Sequence, residues 1–186
     1  MEKNGIILVG NGPSLLDKPN GSLIDSYHKV VRFNLYNIKN HTAYTGEKTS
    51  TWFTVSNVKI TPRHIDEVFF HVWSKDKLTH PYYINLQKHF KHTHIITDEL
   101  LTEMRRYFKT QYGMFSTGMI AIYVMLQKRG WPQITLTGFD WWNPKYTLHH
   151  YFDSKEPQFK EVKGKGHEPT LEKSFIDSFG DRILWI

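Results

Sequence analysis

The chain of 186 residues contains no cysteine. That excludes a disulfide framework, a thiolate nucleophile and a cysteine-ligated zinc site, and it suits a reducing cytoplasm. Long apolar runs are also missing. Ile120 to Leu126 is among the longest, far short of the roughly 20 residues a bilayer-spanning helix needs. Met1 to Gly5 leads straight into an apolar strand without the hydrophobic core of a signal peptide, so the expected location is cytoplasmic. Two nucleotide signatures are absent or incomplete. No Gly-x-x-x-x-Gly-Lys-Ser/Thr sequence occurs, which excludes a P-loop, and Gly10-x-Gly12 lacks the third glycine of a dinucleotide fingerprint. No Asp-x-Asp pair is present to hold the divalent cation that nucleoside diphosphate sugar transferases often use on their leaving group. Neither a metal nor a cofactor is therefore expected.

The formal net charge is +6 and the pI is near 9.3. Such a chain attracts anions: a nucleic acid, an acidic membrane surface met peripherally, or a phosphorylated or carboxylated small molecule. The basic residues are dispersed, with no block of five or six, whereas a nucleic-acid binder usually concentrates them in a stripe. A small anionic ligand is the better fit, and no nucleic acid is expected.

Ile6-Ile7-Leu8-Val9 runs into Gly10-Asn11-Gly12-Pro13-Ser14, the pattern of a buried strand ending in a tight loop. The glycines admit a close backbone approach, and Asn11 offers a donor and an acceptor on a short stem. An ordinary strand-to-helix turn reads the same way. Lys29 to Asn34 is a second strand with Asn34 just past its apolar run. Further strands are expected at Thr51 to Val55, Val68 to Val72, His94 to Ile96, Ile134 to Thr137 and Ile183 to Ile186. Helical stretches are expected at Ser22 to Asp25, after Asp98 as cap, at Met119 to Lys128, and at Pro169 to Phe179. Tyr44 to Thr49 reads as a turn, and His80 to His92 gives no ordered pattern. Strands alternating with helices predict an α/β, doubly wound, mainly parallel Rossmann-like sheet in a single domain of residues 1–186. In such sheets ligands bind beyond the carboxyl ends of the strands, where Asn11 and Asn34 would face one crevice.

Ser116-Thr117-Gly118 opens the most apolar helix. Backbone N–H groups, two hydroxyls and the helix dipole make it an anion-binding candidate, although simple capping is the commoner use of a Ser-Thr pair. His89, His92 and His94 cluster in sequence, but their spacing mixes a helix end with a strand and makes a poor metal set. His149-His150-Tyr151 and His167, with Glu172 five residues on, lie in polar sequence near the C-terminus. A neutral imidazole is the natural base near pH 7 for an alcohol nucleophile.

These stretches together resemble the eukaryotic-type sialyltransferase family, which is marked by four short motifs in fixed order. The large motif is similar to Val9-Gly10-Asn11-Gly12, Gly21-Ser22-Leu23-Ile24-Asp25 and Val31-Arg32-Phe33-Asn34, followed by a Gly-x-Lys-Thr element at Gly46-Glu47-Lys48-Thr49. The small motif resembles Phe115-Ser116-Thr117-Gly118 through Gly138-Phe139, the third His149-His150-Tyr151-Phe152-Asp153, and the very small one His167 to Glu172. A second, bacterial sialyltransferase family shares the Gly-Asn-Gly-Pro-Ser wording, but the histidine spacings favour the first.

The resemblance implies a variant GT-A fold and a metal-independent, inverting transfer of an acidic sugar from a CMP donor to a glycan or glycolipid hydroxyl. Carried over by position, Asn11, Gly12 and Asn34 would bind the donor's phosphate and ribose region. Ser116, Thr117, Gly118, Gly138 and Phe139 would hold the CMP and the donor carboxylate. His150 would hydrogen-bond the departing phosphate, and His167 would be the general base. Residues 141–166, with Trp141, Trp142, Lys145, Tyr146 and Lys160, would form an acceptor-side loop or lid. Without the family's cysteines, membrane anchor and stem, the chain is expected to be a minimal bacterial or viral form. CMP-Kdo offers the same CMP and anomeric carboxylate as CMP-sialic acid and is the alternative donor. A non-catalytic nucleotide-sugar or nucleic-acid-binding domain is the alternative function.

Overall fold

Ile6, Ile7, Leu8 and Val9 are all buried, so strand β1 (Lys3–Val9) must be covered on both faces. That is the condition of a central strand in a parallel sheet. The structure, a computed structural model, describes residues 3–55, 65–71, 79–141, 143, 145, 146, 148–153 and 167–186. It places β1 in a sheet with β2 (Tyr27–Phe33), β3 (Thr51–Val55), β4 (Glu67–His71), β5 (His92–Ile95), β6 (Ile134–Thr137) and β7 (Ile183–Trp185). The order is β5-β4-β3-β2-β1-β6-β7, and every pairing is parallel. The chain steps outward from β1 to β5, then returns to the other side of β1 for β6 and β7. The direction of winding therefore changes between β1 and β6.

Alternation along the strands sends side chains into two layers. Ile6, Leu8, Val31, Phe53, Phe69 and Leu136 share one core with α4 (Asp98–Tyr107), α5 (Thr117–Tyr123) and α6 (Pro169–Asp177). Ile7, Val9 and Val30 face Leu15 of a 3₁₀ turn (Pro13–Asp17) and Ile24 of α1 (Gly21–Asp25). Trp52, Val68 and Phe70 meet Tyr83 and Leu86 of α3 (Pro81–His89). The sheet is doubly wound, as the alternation of elements predicts, and wholly parallel among the described residues.

Local chemistry accounts for the differences from the sequence expectations. The unordered stretch from His80 holds helix α3, whose first residue is Pro81 and whose cap is His80 Nδ1, accepting from Tyr82 N at 3.2 Å. Proline suits a first helical position because its missing N–H would have no partner there. The cap of α4 is Thr97, one residue before the expected Asp98; its Oγ1 accepts from Leu100 N at 3.2 Å. Asp98 stands in the first turn, where its charge suits the helix dipole. The turn expected at Tyr44 to Thr49 begins as a short helix, α2 (Thr42–Thr45), closed by Gly46. Helix α5 starts at Thr117 and ends in a π-helical turn over Val124–Lys128. Strand β5 runs from His92 to Ile95, earlier than expected, because Ile96 already lies past the pairing with Phe70. Val72, Trp142 and Lys160 lie outside the described residues, as does most of 141–166.

Candidate active site

The carboxyl ends of β1, β2 and β6 open onto one cleft of about 260 Å³, beside the point where the winding changes direction. All ten residues expected to bind the donor or carry catalysis line it: Asn11, Gly12, Asn34, Ser116, Thr117, Gly118, Gly138, Phe139, His150 and His167. Among the described residues, Gly10, Phe33, Asp140, Trp141, His149 and Glu172 line it as well.

The floor is a close crossing of two loops. Gly10 N donates to Thr137 O and Gly12 N to Gly138 O, both at 2.8 Å. A Cβ on Gly10 would lie 2.2 Å from Gly138 O, so only glycine fits. Gly138 itself adopts a φ of 69°, the left-handed region that glycine enters without cost. Asp140 fixes the crossing by accepting from Ser14 N at 2.9 Å and from the Ser14 hydroxyl.

Asn11 serves the architecture as well as the cleft. Its Nδ2 donates to Phe33 O at 3.2 Å and Leu35 O at 2.9 Å, tying the turn after β1 to the end of β2. Its backbone carbonyl accepts from Tyr151 N at 3.0 Å, which fastens the His149–His150 segment to the same turn. The donor half of the Asn11 amide is thus spent on backbone, which leaves the carboxamide oxygen as the side-chain group it can offer a ligand. Asn34 has a φ of 45°, tolerated by asparagine better than by most residues. Its Nδ2 reaches Thr117 Oγ1 at 3.4 Å, while its buried Oδ1 has no hydrogen-bond partner. A buried acceptor of this kind calls for a donor, such as a sugar hydroxyl.

At the start of α5, Ser116 Oγ caps the helix by accepting from Met119 N at 3.1 Å. Ser116 N donates to Glu172 Oε1 at 2.5 Å. One N–H that would serve an anion is therefore taken by a side chain of α6, leaving those of Thr117 and Gly118 as the helix N-terminal donors.

His167 stands just before α6. Its Nδ1 lies 2.7 Å from Met114 O, so Nδ1 carries the proton and donates to that carbonyl, and the lone pair belongs to Nε2. Glu172 Oε1 is 3.8 Å from the same Nδ1. Glu172 is buried, and burial pushes its carboxyl above the ordinary range, opposed chiefly by the hydrogen bonds from Ser116. Tyr112, which bonds Glu172 at 3.4 Å, is pushed up to about 12, chiefly by burial. His150 Nδ1 lies 3.1 Å from Asp153 Oδ2, and its ring stacks on Phe152 at 5.2 Å. Burial, then the His150 charge, pushes His149 below the ordinary histidine value.

Among the described residues no three His, Asp or Glu side chains are grouped to hold a metal ion. His89 instead engages Asn85 O at 2.8 Å, and His94 pairs with Glu67 at 3.0 Å. Among the described residues no helix is long and apolar enough to cross a membrane.

The model of the family described as glycosyltransferase family 29 (sialyltransferase) matches residues 6–77. Two matching solved structures are of a mammalian sialyltransferase. One, in complex with Gal-β-1-3GalNAc-ortho-nitrophenol, has a TM-score of 0.75 at 17% identity and covers 98% of this chain and 69% of that one. The other has a TM-score of 0.73 at 17% identity, covering 98% and 68%. At that identity they speak for the fold. No curated protein matches the sequence. The family model thus covers the stretch that holds Asn11 and Asn34, and the structural likeness covers the fold.

Proposed function

We propose that the chain is a metal-independent, inverting glycosyltransferase that moves sialic acid from a CMP donor to a glycan hydroxyl. One observation carries this reading. The imidazole of His167, its tautomer set by Met114 O, borders the same cleft as the orphan acceptor of Asn34 and the N-terminus of α5. Base, sugar-hydroxyl acceptor and anion donors thus meet at one switch point of the sheet.

In this reading Asn34 Oδ1 and the Asn11 carboxamide oxygen accept from the donor's ribose, and Gly12, Gly138 and Phe139 shape the floor beneath the nucleotide. Thr117 N, Gly118 N and the two hydroxyls of Ser116 and Thr117 receive the donor's carboxylate and phosphate. His167 Nε2 takes the proton of the acceptor hydroxyl. The acceptor oxygen forms its bond to the anomeric carbon on the face opposite CMP, and the bond to the phosphate oxygen breaks with its electron pair. Negative charge grows on the phosphate, where His150 and the helix N-terminus can meet it; each such preorganised donor is commonly worth about 3 kcal/mol. These groups supply the positive potential that a metal would otherwise bring. The reading predicts undiminished transfer in EDTA, and a strict requirement for an added divalent ion would refute the metal-free step.

A further inference from the structure

We infer that Trp141 and Trp185 form an acceptor subsite, an indole shelf at the mouth of the cleft that takes the C–H face of the acceptor's sugar ring. This deepens the transferase reading and rests on it. Trp141 follows the β6 loop with a φ of 47°, a left-handed backbone that a bulky aromatic residue seldom adopts. Such a conformation persists only where its surroundings hold it. Here the side chain lines the cleft and meets the Trp185 ring edge-on, with centroids 5.4 Å apart at 63°. Lys173 of α6 sits 5.8 Å from the Trp141 centroid, itself held at 2.6 Å by Asp177. His167 precedes the same helix. The base and the shelf are therefore set by one element.

Trp185 is 48% exposed at the end of edge strand β7, opposite Leu136 of β6. Its indole stands about half in water, where an apolar ring face packed against it would bury it. The donor's anionic and ribose groups are matched by the Asn34 and α5 walls. The acceptor must bring a hydroxyl to His167 while offering an apolar patch to the indoles. A pyranose does both: its hydroxyls are equatorial or axial, and its polarised ring C–H groups meet the negative face of an aromatic ring. The shelf is continuous with the cleft through Trp141, which favours a sugar over strand pairing along the β7 edge.

The test uses saturation-transfer NMR on the full chain with CMP present and a panel of methyl galactosides, glucosides and N-acetylhexosaminides plus lactose. At least one should show transfer strongest at ring C–H protons, reduced at least fivefold in Trp185→Ala and largely restored in Trp185→Phe. Trp185→Leu fills the space without an aromatic face and should behave like Ala, which separates stacking from any loss of fold. Three results would each overturn the subsite: no glycoside bound by the wild type, binding that survives Trp185→Ala, or loss of the CMP-induced thermal shift in that variant, which would put the shelf under the donor. Failure of the transferase reading shows elsewhere, as wild-type protein stabilised by neither CMP nor CMP-sialic acid.

Discussion

His167 makes a short contact, the 2.7 Å bond from Nδ1 to Met114 O, and that bond decides which nitrogen can act as a base. Replacing the ring should remove proton transfer without removing the donor's walls. His167→Ala is expected to lower transfer about 10²–10⁴-fold, the usual worth of general base catalysis, while the CMP-induced rise in Tm stays near the wild-type value. Loss of both together would show a binding role instead. Glu172 gives a prediction in pH. Folding raises its proton affinity, so its contribution to stability is fullest below the ordinary carboxyl value of 4.5 and is lost as pH rises through the raised folded value. Gln keeps the oxygen that accepts from Ser116 N but does not titrate. The Tm of Glu172→Gln relative to wild type should therefore climb as pH is raised from about 4.5 toward 8; a difference that is constant across pH would contradict the assignment.

At the scale of elements, the site depends on β1 and β6 ending side by side, with their loops crossing at Gly10 and Gly138. A methyl group at Gly10 would meet Gly138 O at 2.2 Å, and backbone on both sides cannot give way cheaply. Gly10→Ala should cost about 1–3 kcal/mol or more of stability, read by denaturant unfolding, and should weaken CMP binding. Much of this architecture was legible in the sequence because Ile6 to Val9 is apolar on successive residues, the mark of a strand buried on both faces, and because Thr51 to Val55 and Ile134 to Thr137 are short runs rich in β-branched and aromatic residues. Once the sheet is parallel, Asn11, Asn34 and Gly138 fall at neighbouring strand ends, so their convergence follows from topology. Other features hid because their partners are distant. Ser14 and Asp140 are 126 residues apart, and nothing local pairs them. Ser116 reads as having N–H groups to spare, yet one is claimed by Glu172 from α6. Helix α3 was obscured because a histidine caps it and its aromatic side chains follow no clean period. The Trp141 backbone has no sequence signal at all.

At the scale of the molecule, the net charge of +6 draws anions, and the cleft selects among them. Stabilisation by a ligand that binds only the folded state follows mass action. A thermal-shift series should therefore show CMP and CMP-sialic acid raising Tm by several degrees, with UDP and GDP near zero. A basic nucleic-acid-binding domain would instead show no nucleotide preference and a salt-sensitive affinity for single strands. The central claim is that this cleft transfers a sugar from CMP with His167 as base. The most direct measurement is CMP release from CMP-sialic acid in EDTA, with and without a glycan acceptor, for wild type and His167→Ala. The account predicts release from the wild type that rises with acceptor and falls to background in the variant. No release above background from the wild type, or equal release from both proteins, would contradict it.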